Sequence, residues 1–285
     1  MGEKKNWVIL DIIKVSGEVL KEKNIENARL NAELLLANSL NTERINLYLD
    51  FDRPLSELEL AQFKTKLKRR LAHEPLQYIL GTTEFYGLKF RVNNSVLIPR
   101  PETEILVEHA IDVLKQMNNP QPRVLEIGTG SGCISVSIAK NSECSIRAID
   151  NSAPAIQLAS ENSKLHNADN KIKFELQEFS KDFDLKSYDV IISNPPYIPP
   201  VEYELLPDEI KNYEPKDALT DSIDGFTFYR NIFSNIKENK ISAPVLLEIG
   251  DGKRPEIENI LKSFGINEYD FFKDYINIDR VLKIN

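Results

Sequence analysis

The stretch Val124-Leu-Glu-Ile-Gly-Thr-Gly-Ser-Gly-Cys133 decides the fold. Val124–Ile127 reads as a buried strand, the glycines at 128, 130 and 132 as a tight turn, and Ile134–Lys140 as a helix. Glycine lets such a turn take positive φ and lets a ligand lie against the backbone. The helix N-terminus beyond it offers free N–H groups. Outward from this point, strand-like runs at Ile146–Ile149, Ile172–Leu176, Val190–Ser193 and Val245–Ile249 alternate with helical runs at Ala153–His166 and Phe226–Lys237. That alternation predicts an α/β fold, a parallel sheet with helices on both faces. Tyr275–Ile284 alternates polar and apolar residues and is expected as an edge strand.

Upstream, the spacing is helical. Apolar residues recur three or four apart at Ile9, Ile12 and Ile13, at Ala28, Leu30, Leu34 and Leu35, and at Leu58, Leu60, Phe63, Leu67 and Leu71. Arg29 and Glu33 form an i,i+4 pair. Asn24 and Asn41 mark turns, and Ser56 with Glu59 fits a capping box. A helical domain over residues 1–76 follows. Gly81, Gly87 and the Asn93–Asn94 pair punctuate short runs, so 77–99 is expected as a β-hairpin linker. The second domain, 100–285, opens with a helix from Thr103 to Met117.

An apolar fraction of 41% over 285 residues suffices for a core without metal or disulfide staples. Cys133 and Cys144 match neither a zinc spacing nor a disulfide framework, and His73, His109 and His166 are scattered. No metal site and a reducing compartment are expected. Asp11, Lys14 and Glu18 interrupt the first apolar run, and no run approaches about 20 residues, so neither a signal peptide nor a membrane span is expected and the cytoplasm is the expected location. A net charge of -8 argues against a grip on nucleic-acid backbone. One basic cluster, Lys64, Lys66, Lys68, Arg69 and Arg70, reads as a solvated helix face, with partner docking as the alternative.

Two segments carry chemistry. Asp150 ends the strand after the glycine turn, where a carboxylate can accept from two ribose hydroxyls. The turn itself, Gly128-Thr129-Gly130-Ser131-Gly132, is Gly-x-Gly-x-Gly and lacks the dinucleotide spacing. It suits a nucleoside with a carboxylate tail and no pyrophosphate, and S-adenosylmethionine fits. A turn without a ligand is the alternative. Glu126 either serves the cofactor's ammonium group, since an isolated buried carboxylate is costly, or faces solvent at the sheet rim. The second segment is Ile192-Ser-Asn-Pro-Pro-Tyr197, directly after a strand. Two prolines stiffen the turn. Asn194 offers a side-chain oxygen and Pro195 a carbonyl to the N–H groups of a planar amide nitrogen, which is a poor nucleophile needing orientation. Pro196 and Tyr197 complete the substrate contact, Tyr197 by stacking. A rigid loop with a capping Asn is the bland alternative.

With these residues in view, the chain resembles the release factor glutamine methyltransferases. The likeness is carried by His73-Glu-Pro-Leu-Gln-Tyr-Ile-Leu-Gly81, Glu84-Phe-Tyr-Gly87, Leu97-Ile-Pro-Arg-Pro-Glu-Thr-Glu104, Asn194-Pro-Pro-Tyr197, Tyr213-Glu-Pro215, Asp224-Gly-Phe226 with Phe228-Tyr-Arg230, and Leu247-Glu-Ile-Gly250. The resemblance implies a class I methyltransferase domain with a Rossmann-like, seven-stranded mixed sheet, joined by a hairpin to a small helical substrate-recognition domain. It implies methylation of N5 of the glutamine in the Gly-Gly-Gln loop of class 1 peptide chain release factors, with S-adenosylhomocysteine as by-product. Gly128 to Gly132, Asp150 and Asn194 would meet the cofactor, Asn194 to Tyr197 the glutamine, and Arg100 with Pro101 would help close the pocket. In the family an acidic residue beside an aromatic or bulky apolar one flanks the adenine. Here that segment reads Gln177-Glu-Phe-Ser180, pointing to Glu178 and Phe179. A monomer is expected. The rivals are a ribosomal protein glutamine methyltransferase, a DNA adenine methyltransferase, and a non-catalytic S-adenosylmethionine-binding protein.

Overall fold

The computed structural model describes residues 7–285, so the first six residues of the expected helical domain lie outside it. The chain forms two compact units. One runs to Gly81 and includes Asp208–Tyr213; the other comprises Thr82–Pro207 and Glu214–Asn285.

The first unit holds α1 (Ile9–Glu22), α2 (Ala28–Ser39), α3 (Asn46–Leu49), α4 (Glu57–Leu71) and α5 (Leu76–Leu80). Ile9, Ile12, Ile13, Leu35, Leu36 and Phe63 share its core. Ser56 and Glu59 cap α4 reciprocally, and Asn24 and Asn41 take φ of 57° and 51° at the turns. Leu30 and Leu58 face outward. Leu30 lies two residues, about 200°, from buried Ala32, and Leu58 five residues, about 140°, from buried Phe63. The basic cluster on α4 is not uniformly solvated. Arg70 is buried and donates to Asn31 Oδ1 at 2.8 Å, to the Glu74 carbonyl at 2.8 Å and to Glu209 at 2.7 Å. A buried guanidinium requires such partners. The Glu209 bond, with Tyr213 Oη donating to the Ala72 carbonyl at 2.7 Å, ties 208–213 into this unit.

The second unit begins with an antiparallel hairpin, β1 (Thr82–Phe85) and β2 (Leu88–Arg91). There follow α6 (Thr103–Gln116), β3 (Arg123–Ile127), α7 (Cys133–Asn141), β4 (Ser145–Asp150), α8 (Ala153–Leu165), β5 (Ile172–Leu176), β6 (Val190–Ser193) and α9 (Pro200–Glu204). After α10 (Asp208–Lys211), which belongs to the first unit, come α11 (Thr227–Asn239), β7 (Val245–Glu248), α12 (Arg254–Phe264), β8 (Tyr269–Lys273) and β9 (Asp279–Ile284). The seven-stranded sheet has the order β5-β4-β3-β6-β7-β9-β8. Its first five strands are parallel, and β9 runs antiparallel to β7 and β8. Along the central strands successive residues enter opposite cores. Val124, Val190, Ile192 and Leu246 pack on one face, and Leu125, Ile191, Val245 and Leu247 on the other. That is why these strands read as continuous apolar runs.

The C-terminal expectation needs correction. Within 275–284 only Asp279–Ile284 is strand, and it is interior. Tyr275 to Asn277 form a turn held by Asp274, whose side chain accepts from the Ile276 and Ile278 N–H groups at 3.0 Å. The edge belongs to β8, which the sequence reading leaves out, together with α12.

Candidate active site

Strand order reverses between β3 and β6, so the chain leaves these adjacent strands in opposite directions across the sheet. Ligand crevices open at the carboxyl ends of strands around such a point. Ile127 and Ser193 are in register at those ends, and Ser193 Oγ donates to the Ile127 carbonyl at 2.8 Å. The glycine turn and the Asn194 turn therefore start side by side. A cavity of about 250 Å³ is lined by both, through Gly128 to Ser131 on one side and Asn194 with Pro195 on the other.

The glycine turn folds back over β4, with the Gly128 and Thr129 N–H groups donating to the Ile149 carbonyl at 2.9 and 3.1 Å. Gly128 and Gly130 take φ of 74° and 54°, and a Cβ on either would meet nothing within 4 Å. Both present bare backbone to open space. Gly132 differs. Its Cβ would come within 3.0 Å of the Ala159 Cβ, so it permits α7 to start close against α8, and it does not line the cavity.

Asp150 lines the cavity. Its Oδ2 accepts from the Gly130 N–H and its Oδ1 from the Ser152 N–H, each at 2.9 Å. A carboxylate has about four acceptor positions, so two remain for a ligand. Glu178 and Phe179 also line the cavity, beside Gln177, whose N–H donates to the Asp150 carbonyl at 2.8 Å. The charged lining residues are Asp150, Glu178, Asp217 and Arg100, and Arg100 is paired with Glu214 at 2.5 Å. Three carboxylates against one neutralised guanidinium suit a ligand carrying positive charge and oppose a pyrophosphate.

Glu126 is not at a solvated rim. It is 1% exposed and outside the cavity lining. Its Oε2 accepts from Thr129 Oγ1 at 2.7 Å and from Ser135 Oγ, while Oε1 has no partner among the described residues. Burial, opposed by these hydroxyls and reinforced by the Asp150 charge, pushes its carboxyl up to about 7. A carboxyl whose folded-state pKa lies above the ordinary value contributes stability that is complete below pH 4.5 and lost as pH rises through about 7. The unfolding free energy of the ligand-free protein, relative to Glu126→Gln, is therefore expected to fall by on the order of 2 kcal/mol between pH 5 and pH 8. Urea denaturation of both proteins at the two pH values measures it, and parallel behaviour would contradict the assignment.

The Asn194 turn is held from several directions. Asn194 Nδ2 donates to Thr103 Oγ1 at 3.3 Å, and Thr103 is buried at the start of α6. Pro195 is buried and lines the cavity, whereas Pro196 and Tyr197 do not line it. The Tyr197 ring instead rests on Gly250, where a Cβ would lie 2.8 Å from Cδ2. Its hydroxyl points to Glu248 Oε1 at 3.4 Å. Burial and the Glu248 charge raise the Tyr197 phenol well above its ordinary value. Gly225 is needed for the same turn, because a Cβ there would lie 2.4 Å from the Tyr197 carbonyl oxygen. Asp221 shapes the loop that presents Gly225, accepting N–H bonds from Ile223, Gly225 and Thr227 at 2.8–2.9 Å.

The remaining wall is a clamp. Glu214 is buried and accepts from the Ile98 N–H at 3.1 Å and from Arg100. It thus joins Leu97–Arg100 to Pro215–Ala218, both of which contribute to the cavity. Pro101 is exposed and outside the lining. Thr103, Glu214 and Glu248 are the site residues that reasoning from single motifs overlooks. Each sits inside a quoted segment, but their convergence is tertiary.

Residues 11–81 match the family model described as the PrmC N-terminal domain, and residues 103–205 match the methyltransferase small domain. A release factor glutamine methyltransferase of Chlorobaculum tepidum is 38% identical, with 99% of this chain and 98% of that protein covered. One from Thermodesulfovibrio yellowstonii is 41% identical over 88% of this chain and 90% of its own length. Among solved structures, the hMettl16 catalytic domain in complex with a 3′UTR hairpin superposes with a TM-score of 0.58 at 17% identity, covering 82% of this chain and 84% of that one. At that identity the likeness concerns the fold alone.

Proposed function

The chain belongs to the release factor glutamine methyltransferase family, and from that premise we propose that it methylates N5 of the glutamine in the Gly-Gly-Gln loop of class 1 release factors, with S-adenosylmethionine as donor. The observation that carries the reading is the single cavity shared by the glycine turn and the Asn194-Pro195 turn. S-adenosylmethionine supplies, when bound, a methyl group already activated by a positively charged sulfur. The residues present fit it: bare glycine backbone for the amino-acid tail, two free acceptor positions on Asp150 for ribose hydroxyls, Phe179 with Glu178 for the adenine, and a net acidic lining for a cationic ligand. Glu126 acts on the glycine turn through Thr129 and does not meet the ligand.

The protein's task is then to orient an amide nitrogen. Asn194 Oδ1 and the Pro195 carbonyl accept its two N–H groups, which turns the lone pair towards the methyl group and stabilises the positive charge growing on nitrogen. One N–H proton is exchanged for the methyl group, and the proton leaves to solvent. Tyr197 supports the turn from behind, with its ring on Gly250. Among the described residues no helix is long and apolar enough to cross a membrane, and a protein acting on release factors works where translation takes place, the cytoplasm. The reading calls for no residue from a second copy, in keeping with a monomer, and the net charge of -8 disfavours nucleic acid.

Incubation with isotope-labelled S-adenosylmethionine and a purified class 1 release factor is expected to label the Gly-Gly-Gln peptide and to leave a Gln-to-Ala release factor unlabelled. Label on ribosomal protein or DNA, with none on the release factor, would overturn the reading.

A further inference from the structure

The connection between β5 and β6, residues 177–189, carries the wall assigned to the adenine. Gln177, Glu178 and Phe179 line the cavity at its start, and beyond them the backbone forms only turns and irregular stretches. Long connections without secondary structure of their own are uncommon and usually functional. Such a segment keeps a defined shape only through contacts from outside it.

One side chain on β4 grips this connection at three places. Arg147 pairs in register with Lys173 of β5, so it shares a sheet face with Glu175. Its Nε donates to Glu175 Oε2 at 2.8 Å, and Nη2 donates to the same oxygen, which fixes the guanidinium plane. Nη2 also donates to Gln177 Oε1 at 2.6 Å, at the start of the connection. Nη1 donates to Tyr188 Oη at 2.7 Å, at its end. Between the two, Arg147 Cζ lies 5.5 Å from the centre of the Phe183 ring. That ring packs on Phe179 with centres 5.7 Å apart, and both are buried. The grip on Phe183 thus passes directly to the cavity wall, although Arg147, Phe183 and Tyr188 do not line the cavity themselves. From α11, buried Asn235 donates to the Lys181 and Phe183 carbonyls at 2.8 and 2.6 Å. It anchors the middle of the backbone independently of the guanidinium.

We propose that Arg147 is a positioning residue for the cofactor: through Gln177 and Phe183 it sets the course of Gln177–Glu178 and the tilt of the Phe179 ring, and so the fit of the adenine base, without touching the ligand. This role rests on the methyltransferase reading above and deepens it. The ribose and the amino-acid tail are served elsewhere, by Asp150 braced on the Gly130 and Ser152 N–H groups and by the glycine turn. Neither depends on the guanidinium, so the effect of Arg147 is confined to the base. Lysine cannot replace it, because a single ammonium has neither the planar fork that reaches Glu175, Gln177 and Tyr188 together nor a flat face for Phe183.

The test compares two ligands on the full chain: S-adenosylhomocysteine, and S-ribosylhomocysteine, which keeps the sugar and the amino-acid tail and lacks the base. Calorimetry measures the first directly and the second by competition against it, and steady-state methylation of a release factor gives kcat and KM for the donor. An aromatic face stacked on a base is worth roughly 5- to 150-fold in affinity, so a displaced ring should lose about 10-fold. Arg147→Ala is expected to bind S-adenosylhomocysteine about 10-fold more weakly and to raise KM for the donor to match, with kcat at saturating donor within about twofold. Its affinity for S-ribosylhomocysteine should stay within about twofold of the wild-type value, which a generally loosened fold would not allow. Arg147→Lys should behave like Arg147→Ala. Phe183→Leu should show the same selective loss, and the double variant should lose little more than either single one, because both act along one route. Should Arg147→Ala melt too early to assay, Arg147→Lys and Phe183→Leu carry the same comparison. Wild-type affinity for S-adenosylhomocysteine in the Arg147 variants would overturn the proposal alone, and so would an equal loss for both ligands. A wild-type protein that does not bind S-adenosylhomocysteine would overturn the methyltransferase reading, and the proposal with it.

Discussion

Asn194→Ala is expected to bind S-adenosylmethionine nearly as well as the wild-type protein and to transfer methyl about 10²–10³-fold more slowly, about 2.7–4 kcal/mol of lost transition-state stabilisation. The reason lies in which bonds tighten during the reaction. In the ground state the lone pair of an amide nitrogen is shared with its carbonyl, and its N–H groups are only weakly acidic. As the nitrogen takes on methyl it gains positive charge, and an acceptor already aimed at its N–H is worth most at that moment. Asn194 lines the cavity at the end of β6, beside Pro195. Alanine removes the acceptor and also leaves Thr103 without the Asn194 donor. The loss should therefore appear in kcat as well as in kcat/KM. Calorimetry for the cofactor and single-turnover methylation of the release factor separate the two effects. Rapid transfer by the variant would remove Asn194 from the chemistry.

Asp150→Ala should show the opposite pattern. Its carboxylate sits at the end of β4, braces the Gly130 and Ser152 N–H groups, and has two acceptor positions left for the ribose hydroxyls. Hydrogen bonds to a charged group contribute about 1.5–3 kcal/mol each. Losing the ribose pair is expected to weaken cofactor binding by roughly 100-fold or more, while kcat at saturating cofactor changes far less. Asp150→Asn keeps one acceptor oxygen and should fall between. Titration with S-adenosylhomocysteine measures all three proteins. An unchanged affinity in Asp150→Ala would show that the carboxylate only shapes the turn.

Much of this site was legible before any coordinates. The central strands of the sheet are apolar at most positions, because strands of a covered parallel sheet are buried on both faces. The turn residues announce themselves by composition, since only glycine occupies positive φ without cost and only proline stiffens a turn in this way. What composition misses is a residue whose role depends on a distant neighbour. Tyr197 reads as a stacking platform, yet its ring rests on Gly250, 53 positions along the chain by residue number. Gly132 reads as one of three equivalent cofactor glycines, yet it answers to Ala159 on the next helix. Arg70 reads as one of a solvated basic row, yet it is buried against Asn31 and Glu209.

The amino-acid sequence alone determined the local terms: the period of the main helices and strands as far as β7, the α4 capping box, the two turns, and hence the class of chemistry. These depend on neighbours a few residues away, where backbone sterics and side-chain type act directly. The tertiary structure decided which ends of which strands lie side by side and which carboxyls are buried. Those outcomes hang on contacts between residues far apart in the chain, such as Asn194 with Thr103 and Tyr197 with Glu248, and no local preference specifies them.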